Sequence, residues 1–494
     1  MFKPRALLAL DFYKTGHVFQ YPEGTEAVYS NWTARSGSHS LTGLNGVVWF
    51  GLQAFIKAFL QECWEQTFFD RPKDEVLAEY KRRMDTSLGP GAVPMDHIAW
   101  LHDLGYLPLL IKALPEGVLV PYGVPLMTMV NTGAEGFWLT NYLESVMSTE
   151  LWLPTTSATT AYAYRQRFNE HSARTGSDPG FIQWQGHDFS FRGMGGIAAA
   201  AASGAGHLLS FTGTDTVPAL DWLEDYYNAD CENELIGGSC PASEHSVMSM
   251  GLPDKEFETF KRLITEVYPT GIVSIVSDTF DLWRVVREFL PRLKEEILQR
   301  DGRVVIRPDS SPKSPVEIMC GDPEASERHL QEGLYNLLYE LFPGEDTALG
   351  YKTLDPHIGA IYGDSITLER QDLILSRLEA MGYAGQNMVL GIGSFTYTYT
   401  TRDTHGFAMK ATWGKVNGED RPIYKDPVTD PGFKRSAVGL VRVVEAPDNV
   451  RFRLHDMVTR QEEQTGSLVP VFLDGQLLID DSLSNIRRRL GTFQ

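Results

Sequence analysis

Four short apolar runs in the middle of the chain decide its fold, and each of them ends in polar residues. They read GIVSIVSD at 271–278, RVVIRPDS at 303–310, HIGAIYGD at 357–364 and NMVLGIGS at 387–394. Helical patterns follow the first run, through Leu282, Val285 and Phe289, and the third run, over 366–381. Apolar runs of this length between helices predict parallel strands that are buried on both faces. The fold class is therefore α/β, with a parallel sheet or barrel at its centre.

Charged residues follow these predicted strands where a ligand site is expected. In parallel sheets and barrels the site lies at the carboxyl ends of the strands. The residues found there are Asp278, Arg307, Asp309, Asp364 and the turn Gly391–Ser394. Any single exposed strand end is often polar, but several in succession favour a shared site. Carboxylates bind Mg²⁺ and ribose hydroxyls, and arginine binds phosphate bidentately, so the pattern suits a phosphorylated sugar with a divalent metal.

Both ends of the chain predict antiparallel strands. GLVRVVEAPDNVRFRLHD at 439–456 has the pattern of a hairpin, and VPVFLDGQLLID at 469–480 contains Asp474-Gly475, which suits a type I′ turn. Turn residues around short β-rich runs at 115–131 indicate further paired strands, and the spacing at 52–64 predicts an amphipathic helix. We predict an α+β domain from 1–150 plus 400–494, and a barrel domain over 151–399.

The composition limits the classes of function. The chain has 494 residues with 44 basic and 64 acidic side chains, a net charge of −20, which argues against binding nucleic acid or a membrane surface. An anionic substrate would therefore need a local Lys/Arg cluster. Four cysteines without metal-ligand spacing, and no apolar stretch suited to a signal peptide or a membrane span, predict a reduced, soluble, cytoplasmic protein.

Three segments outside the four runs carry further candidate residues. HDFSFRG at 187–193 precedes a Gly/Ala run, which predicts a helix packed very close to a neighbour, with Arg192 placed to meet an anion near its start. In GTDT at 213–216, Asp215 is either a helix cap or a ligand-binding carboxylate. In PASEHS at 241–246, His245 lies in a predicted polar loop, where it is either a structural or a reactive histidine.

These segments, in their order along the chain, resemble the nicotinamide phosphoribosyltransferase family within the nicotinate/nicotinamide phosphoribosyltransferase superfamily. The resemblance runs from LDFYKTGH at 10–17 to KDPVTDPGFKRS at 425–436 and includes HDFSFRG, FTGTDT, ASEHS, VSDTFD, IRPDS, GDS and TRD. It implies an irregular α/β barrel of the type II phosphoribosyltransferases. It also implies transfer of phosphoribose from 5-phosphoribosyl diphosphate to nicotinamide in NAD salvage, by a cytoplasmic homodimer with shared active sites.

The resemblance also implies roles for individual residues. The base is expected between Phe189 and Tyr13, with Tyr13 supplied by a second subunit, and Asp215 is expected to accept a hydrogen bond from the carboxamide. Nicotinate would instead bring two carboxylates together. The remaining substrate contacts are expected from Arg192, Arg307, Gly363, Asp364, Gly393, Ser394 and Arg402. Diphosphate or ATP phosphates are expected to meet Arg35, Lys425 and Lys434.

The residues expected to take part in catalysis are His245, Asp278 and Asp309. By resemblance, ATP phosphorylates His245 in a reaction only loosely coupled to transfer, and Asp278 orients the imidazole. Asp309 is expected near the ribose and the metal. The expected cofactor is Mg²⁺, with ATP as co-substrate.

Three alternative functions remain at this point. A nicotinate phosphoribosyltransferase is opposed by Asp215. A non-catalytic binding or signalling protein is opposed by the retention of His245 with the Asp/Arg set. A phosphate-binding barrel isomerase does not explain the pair Tyr13 and Phe189. The chain also departs from better-known family members at Gly391–Ser394, which they replace with Gly-Ser-Gly-Gly, at Ser311-Pro312, and at Ala408, where they have serine.

Overall fold

The structure is a computed structural model that describes residues 3–310, 314–425, 437–446 and 451–493. The chain divides into two compact units. The first comprises Met1–Thr159, Trp222–Ala229 and Thr400–Gln494, and the second comprises Thr160–Asp221 and Asp230–Tyr399. The domain boundaries predicted from the sequence stay a prediction. This division differs from them by placing 151–159 and 222–229 in the first unit.

The strands are numbered in chain order. They are β1 (Thr25–Ala34), β2 (Gly46–Val48), β3 (Leu109–Ala113), β4 (Leu119–Pro121), β5 (Pro125–Asn131), β6 (Gly186–Phe189), β7 (Gly213–Thr214), β8 (Gly271–Val276), β9 (Gly302–Arg307), β10 (Ile358–Tyr362), β11 (Met388–Gly393), β12 (Phe407–Val416), β13 (Glu419–Pro422), β14 (Leu440–Glu445), β15 (Phe452–Val458), β16 (Val469–Leu473) and β17 (Gln476–Leu477).

The α-helices are likewise numbered in chain order. They are α1 (Leu52–Phe55), α2 (Lys73–Leu88), α3 (Asp96–Leu104), α4 (Leu139–Tyr142), α5 (Glu144–Thr175), α6 (Ile182–Gln185), α7 (Ile197–His207), α8 (Pro218–Tyr227), α9 (His245–Met250), α10 (Glu256–Arg262), α11 (Leu282–Arg284), α12 (Leu290–Arg292), α13 (Lys294–Gln299), α14 (Pro315–Cys320), α15 (Arg328–Leu341), α16 (Leu368–Ala380), α17 (Ser394–Tyr397), α18 (Arg460–Glu463) and α19 (Leu483–Leu490).

The first unit is built on an antiparallel sheet with the strand order β13-β12-β1-β5-β3-β16-β17. Both predicted hairpins are present, as β14–β15 and β16–β17. Asp474 (φ 47°) and Gly475 (φ 84°) both have positive φ, as a type I′ turn requires. The predicted paired strands at 115–131 are present as β4 and β5, where β4 pairs with β2 and β5 lies between β1 and β3.

The predicted helix at 52–64 is present but is wound differently from an α-helix. It starts as α1 and continues in π geometry over Ile56–Cys63 and Glu65–Phe69. Its apolar side chains, among them Phe55 and Leu60, are buried in the core of the first unit. The apolar periodicity therefore identified the buried face, although it did not indicate the change in winding.

The second unit contains the predicted parallel strands in a sheet with the order β7-β6-β11-β10-β9-β8. Every neighbouring pair is parallel. Two isolated parallel bridges, Gly213 with Gly238 and Ala242 with Ser274, connect the outer strands β7 and β8 through one short segment. The sheet thereby closes into an irregular α/β barrel. The fold class predicted from the sequence is confirmed.

The Gly/Ala run forms α7, which packs as closely as its composition predicts. A Cβ atom added to Gly204 would lie 2.8 Å from the Cβ of Ala219 in α8, so a larger residue there would force the two helices apart. Cys63, Cys240 and Cys320 are free thiols. Within the described residues, no helix combines the length and the apolar character needed to cross a membrane.

Candidate active site

The parallel barrel gathers most of the predicted residues at one edge. Because all six strands run in the same direction, the residues that follow them lie at the carboxyl end of the barrel. The residues at this end are Phe189 on β6, Asp215 after β7, Asp278 after β8, Arg307 and Asp309 at the end of β9, Gly363 and Asp364 after β10, and Gly393 and Ser394 at the end of β11.

Phe189 lies in a slot formed by glycines. A Cβ atom added to Gly391 would lie 2.3 Å from the Phe189 ring, and one added to Gly363 would lie 3.0 Å from it. On another side the ring contacts His187, with 4.7 Å between the ring centroids. Glycine at 363 and 391 therefore gives the aromatic ring room to lie against the strands. This explains the Gly in the GDS segment and the first Gly of the turn at 391–394.

Asp215 is held by two hydrogen bonds to the same oxygen. Its Oδ1 lies 2.9 Å from His187 Nε2 and accepts a hydrogen bond from Ser239 Oγ at 2.7 Å. Burial alone would raise the pKa of this carboxyl. The hydrogen bond and charge of His187, the hydrogen bond from Ser239 and the charge of Arg307 outweigh it and lower the pKa below its usual value. The alternative reading as a helix cap does not apply, because the side chain bonds to His187 and Ser239 rather than to a helix N–H.

A cavity of about 600 Å³ extends along the inside of the barrel. At the carboxyl end of the strands it is lined by Phe189, Asp215 and Arg307, and at the opposite end by Arg303 and His357. Its walls between these ends are largely apolar, with Ile361 and Val389 among them. A planar aromatic base with one polar substituent suits such a space, because few polar groups are present to fix its orientation.

His245 is the first residue of α9 rather than part of a loop, which corrects the sequence-based expectation. Its Nδ1 lies 3.0 Å from Thr279 Oγ1, while its Nε2 is 4.0 Å from Asp278 Oδ1 and 3.8 Å from Asp309 Oδ2. The side chain is half exposed. The imidazole is thus open to a ligand and flanked by two carboxylates.

The Asp278 carboxylate accepts hydrogen bonds mainly from the residues that follow β9. Its Oδ2 accepts hydrogen bonds from Asp309 N at 2.9 Å and from Ser310 N at 2.7 Å, and its Oδ1 is buried without a partner in the described chain. The hydrogen bond that orients His245 comes from Thr279, which the sequence analysis did not single out. Thr279 follows Asp278 directly, but no periodic pattern in the sequence marked it.

Arg307 connects β9 to the segment that carries His245. One of its terminal nitrogens donates to the Ser243 carbonyl, and Ser243 in turn bonds to β8 through Ser274 O and Val276 N. The Nε atom of Arg307 is buried and has no partner in the described residues. A guanidinium whose buried Nε–H is left without a partner in this way is suited to an anionic or carbonyl ligand in the cavity that it lines.

Carboxylates are concentrated at the mouth of the barrel. Burial, followed by the charges of Asp364, Asp278 and Asp309, raises the pKa of Tyr362. In the described residues, no three His, Cys, Asp or Glu side chains come together as a metal site. Half-exposed Asp309 and exposed Asp364 fit a Mg²⁺ ion that takes its other ligands from substrate phosphates and water.

The predicted phosphate turn is open at the mouth. Gly393 ends β11, and a Cβ atom added there would meet nothing within 4 Å. Ser394 begins α17, and its Oγ would lie 2.0 Å from a Cβ atom on Gly193, so the exposed turn that holds Arg192 packs directly on Ser394. Arg192, Gly393 and Ser394 therefore belong to one surface of the second unit.

The first unit holds another group of the predicted residues. Tyr13 and Arg402 line one cavity of about 270 Å³, and the Tyr13 side chain is 60% exposed. The helical turn that holds Tyr13 is fixed by buried Lys14, which binds Asn141 Oδ1 at 2.7 Å and pairs with Glu144. The ring of Tyr13 is thus exposed on a helical turn that Lys14 anchors, where it is available to a ligand.

The other predicted phosphate-binding residues also fall in or near the first unit. Arg35 Nε donates to Gly406 O at 2.9 Å, which joins it to the turn that begins at Arg402. Lys425 is exposed. Lys434 and the departure at Ser311-Pro312 lie outside the described residues. Ala408 is buried in β12.

Comparison with known families agrees with this geometry. The sequence model of the nicotinate phosphoribosyltransferase (NAPRTase) family matches residues 184–462, and that of the nicotinamide phosphoribosyltransferase N-terminal domain matches residues 5–79. The chain belongs to the nicotinate phosphoribosyltransferase family and is a pentosyltransferase.

Within this family the chain falls among the nicotinamide phosphoribosyltransferases. A protein of that name from Acinetobacter baylyi is 53% identical over 499 residues, covering 99% of this chain and 97% of the relative. Another of the same name, from Xanthomonas campestris pv. campestris, is 33% identical over 491 residues and covers 97% of each chain.

Solved structures share the fold at low sequence identity. The nicotinate-nucleotide pyrophosphorylase from Pyrococcus furiosus matches with a TM-score of 0.57 and 13% identity, over 98% of this chain and 94% of that chain. Human nicotinic acid phosphoribosyltransferase matches with a TM-score of 0.50 and 14% identity, over 97% and 92%. Both confirm the type II phosphoribosyltransferase architecture.

Proposed function

We propose that this enzyme transfers phosphoribose from 5-phosphoribosyl diphosphate to nicotinamide and releases nicotinamide mononucleotide and diphosphate. The observation that carries the proposal is Asp215, which lies at the wall of an apolar cavity next to the ring of Phe189. Its pKa is lowered, and its Oδ2 accepts no hydrogen bond within the described part of the chain. A carboxamide N–H can donate to that oxygen. The carboxylate of nicotinate can only repel it.

The transfer requires little acid–base chemistry. The bond between C1 of the ribose and the diphosphate oxygen breaks with its electron pair leaving on diphosphate, and the lone pair of the pyridine nitrogen forms the new bond to C1. No proton changes place. The protein therefore contributes mainly by positioning the two reactants and by stabilising charge. Phe189 and Asp215 orient the base, and Arg307 meets the negative charge at the carboxyl end of the barrel.

Mg²⁺ is proposed as the cofactor, held by the substrate diphosphate with Asp309 and, on the same rim, Asp364. When bound, it neutralises the charge that develops on the departing diphosphate. Asp278 Oδ2 accepts hydrogen bonds from Asp309 N and Ser310 N, so part of its role is to keep the loop of Asp309 in place.

The experiment that tests this function is a product assay. The full-length enzyme is incubated with 5-phosphoribosyl diphosphate, Mg²⁺, ATP and either nicotinamide or nicotinate, and the mononucleotides are separated by chromatography. We expect nicotinamide mononucleotide with a clear preference over nicotinic acid mononucleotide. Equal use of the two bases would contradict the role of Asp215, and a preference for nicotinate would make the enzyme a nicotinate phosphoribosyltransferase.

We also propose that ATP phosphorylates His245. The imidazole is half exposed at the barrel mouth, Thr279 bonds one ring nitrogen, and Asp278 and Asp309 lie near the other. A phosphoryl group on His245 would add negative charge beside the proposed Mg²⁺ site and the segment that Arg307 connects to β9. It would thereby favour binding of a metal-bound diphosphate substrate.

His245→Asn is expected to abolish stimulation by ATP while slow transfer without ATP continues. The stimulation, about 10-fold in kcat/KM for phosphoribosyl diphosphate, depends on a phosphorylated ring nitrogen that asparagine lacks. The measurement is kcat/KM with and without ATP, together with acid-labile ³²P incorporation from γ-labelled ATP. Exposed Ser246→Ala is the matched control and should retain both signals. Undiminished labelling of His245→Asn would contradict the proposal.

We also propose a homodimer with shared active sites, and the reason is the position of four of the predicted ligand-binding residues. Tyr13, Arg35, Arg402 and Lys425 all belong to the first unit, and Tyr13 has an exposed ring fixed by the Lys14 anchor. An exposed aromatic residue with neighbouring cations suits the open side of another subunit's base and phosphate site.

Mixing two inactive variants is expected to restore activity. Tyr13→Ala and Arg307→Ala each damage every site when alone, but a mixed dimer contains one site with both native residues. Random exchange of subunits should therefore give about a quarter of the native activity. The measurement is nicotinamide mononucleotide formation after the two variants are unfolded together and refolded. If each subunit uses its own Tyr13, the mixture will stay as inactive as its parents.

A further inference from the structure

His207 is a fully buried histidine that has no role in the reaction described above. It is the last residue of α7. Its Nε2 lies 3.0 Å from Gly213 O, and its Nδ1 lies 2.7 Å from the hydroxyl of Tyr397. The ring also stacks on Phe211, with 5.1 Å between the ring centroids. A buried imidazole that is bonded through both nitrogens and stacked on one face has a fixed orientation.

The directions of the two hydrogen bonds follow from the partner on each side. The carbonyl oxygen of Gly213 can only accept, so Nε2 of His207 carries a proton and donates it. Burial lowers the pKa of His207 to about 4, against the charge of Asp188 and the hydrogen bond to Gly213, so the ring is neutral near neutral pH. Nδ1 then has no proton, and the Tyr397 hydroxyl donates to it.

The two partners of His207 belong to different parts of the candidate active site. Gly213 begins β7 and lies two residues before Asp215, the residue proposed to select the base. Tyr397 ends α17, which begins at Ser394 in the predicted phosphate turn. In the sheet, β6 lies between β7 and β11, so the ladder hydrogen bonds join each of these strands to β6 rather than to each other. His207 therefore connects the base turn to the phosphate turn through its side chain.

We propose that His207 is a positioning residue that holds the base turn and the phosphate turn at a fixed separation. The pyridine nitrogen must reach C1 of the ribose, so the rate depends on the distance between a base held at Asp215 and a phosphosugar held at Ser394. A misplacement of about 1 Å can cost about 100-fold in rate, even when its origin is far from the reacting atoms. This inference rests on the proposed function, because it assumes that the two substrates lie at these two turns.

Three substitutions in the full-length enzyme break the connection at different points. The amide of His207→Gln reaches the position of Nε2 and keeps a donor for Gly213 O, but it leaves no acceptor for Tyr397. The amide of His207→Asn lies near the position of Nδ1 and keeps that acceptor, but it gives up the hydrogen bond to Gly213. Tyr397→Phe removes the hydroxyl alone and leaves the aromatic ring in the core, so it decides the test if the variants at 207 do not fold.

Tyr164→Phe is the matched control. Tyr164 is also fully buried, and its hydroxyl lies 3.2 Å from Thr396 Oγ1 in α17 and donates to Ile366 O at 3.1 Å. The substitution therefore removes an equally buried hydroxyl that contacts the same helix, while the hydrogen bonds of His207 stay in place. For the native enzyme and each variant, the measurements are kcat, KM for the base and for phosphoribosyl diphosphate, and the melting temperature.

The expected results separate positioning from stability. His207→Gln, His207→Asn and Tyr397→Phe should each lower kcat by about 10-fold, while both KM values stay within about 3-fold, because each turn keeps its own contacts with substrate. The combined variant of His207→Gln and Tyr397→Phe should lose no more than either single variant, since both remove the same hydrogen bond. Tyr164→Phe should keep kcat within about 3-fold, although its melting temperature should fall about as far as that of Tyr397→Phe.

A native kcat in Tyr397→Phe would overturn the proposal, and so would an equal loss of kcat in Tyr397→Phe and Tyr164→Phe, because both hydroxyls would then act only on the stability of the fold. A rise in both KM values without a loss of kcat would overturn it as well. Every kcat is measured with the base that the native enzyme uses. If that base were nicotinate alone, the proposed function would fail, whereas the loss of kcat in the variants would still decide the role of His207.

Discussion

Asp215→Asn is expected to lower kcat/KM for nicotinamide by about 5-fold, because a charge-assisted hydrogen bond of about 2 kcal/mol becomes a neutral one of about 1 kcal/mol. The same change should raise kcat/KM for nicotinate by about 10-fold, since an amide can donate to a carboxylate that Asp215 repels. The two kcat/KM values therefore change in opposite directions, and the preference for nicotinamide over nicotinate falls by the product of the two factors. The measurement is kcat/KM for each base at saturating phosphoribosyl diphosphate and Mg²⁺.

The control for this change is Asp221→Asn, which removes an equal charge from the exposed side of α8. That variant should keep the native ratio of the two bases. A loss of activity in Asp215→Asn that is equal for nicotinamide and nicotinate would contradict the role of Asp215. It would show that the carboxylate holds His187 and Ser239 in place rather than selecting the base.

The barrel could be predicted from the sequence because its strands carry a local signal. Each of the four apolar runs became a parallel strand, since only a strand buried on both faces needs such a run. The polar residues directly after the runs were therefore placed at one edge without knowledge of the strand order. This rule alone is enough to predict the shared location of Asp278, Arg307, Asp309 and Asp364.

The closure of the barrel could not be predicted in this way. It depends on single bridges at Gly213–Gly238 and Ala242–Ser274, which involve isolated residues in a polar segment with no apolar alternation. The same segment contributes Ser239 to Asp215 and Ser243 to Arg307. These contacts arise only when the two outer strands are joined, so a pattern along the chain could not indicate them.

His187 could have been found from the sequence. It lies two residues before Phe189 on β6, and residues two apart on a strand face the same side. Because Phe189 was expected to contact the base, the same rule would have placed His187 on that face. Its contact with Asp215 depends additionally on the pairing of His187 with Gly213 in β7, which only the three-dimensional structure supplies.

Arg307→Ala is expected to produce the largest loss, a decrease of about 10²–10³-fold in kcat, which is the usual cost of removing a fixed donor from a site where negative charge develops. Arg307 lines the cavity with a buried Nε that has no partner within the described residues. Arg307→Lys should recover about 10-fold, because it restores the charge but not the planar arrangement of donors.

Arg303→Ala is the matched control for this prediction. Arg303 lies on the same strand and lines the same cavity at its other end, where its Nε donates to Pro356 O at 2.8 Å. Losing it should change kcat by less than about 3-fold, since that end is far from the carboxyl edge where diphosphate leaves. Melting temperatures of all three variants separate the effect from unfolding, because Arg307 also supports the Ser243 carbonyl. Equal losses of kcat in Arg303→Ala and Arg307→Ala would mean that both act only by maintaining the barrel, and the charge-stabilising role of Arg307 would then be wrong.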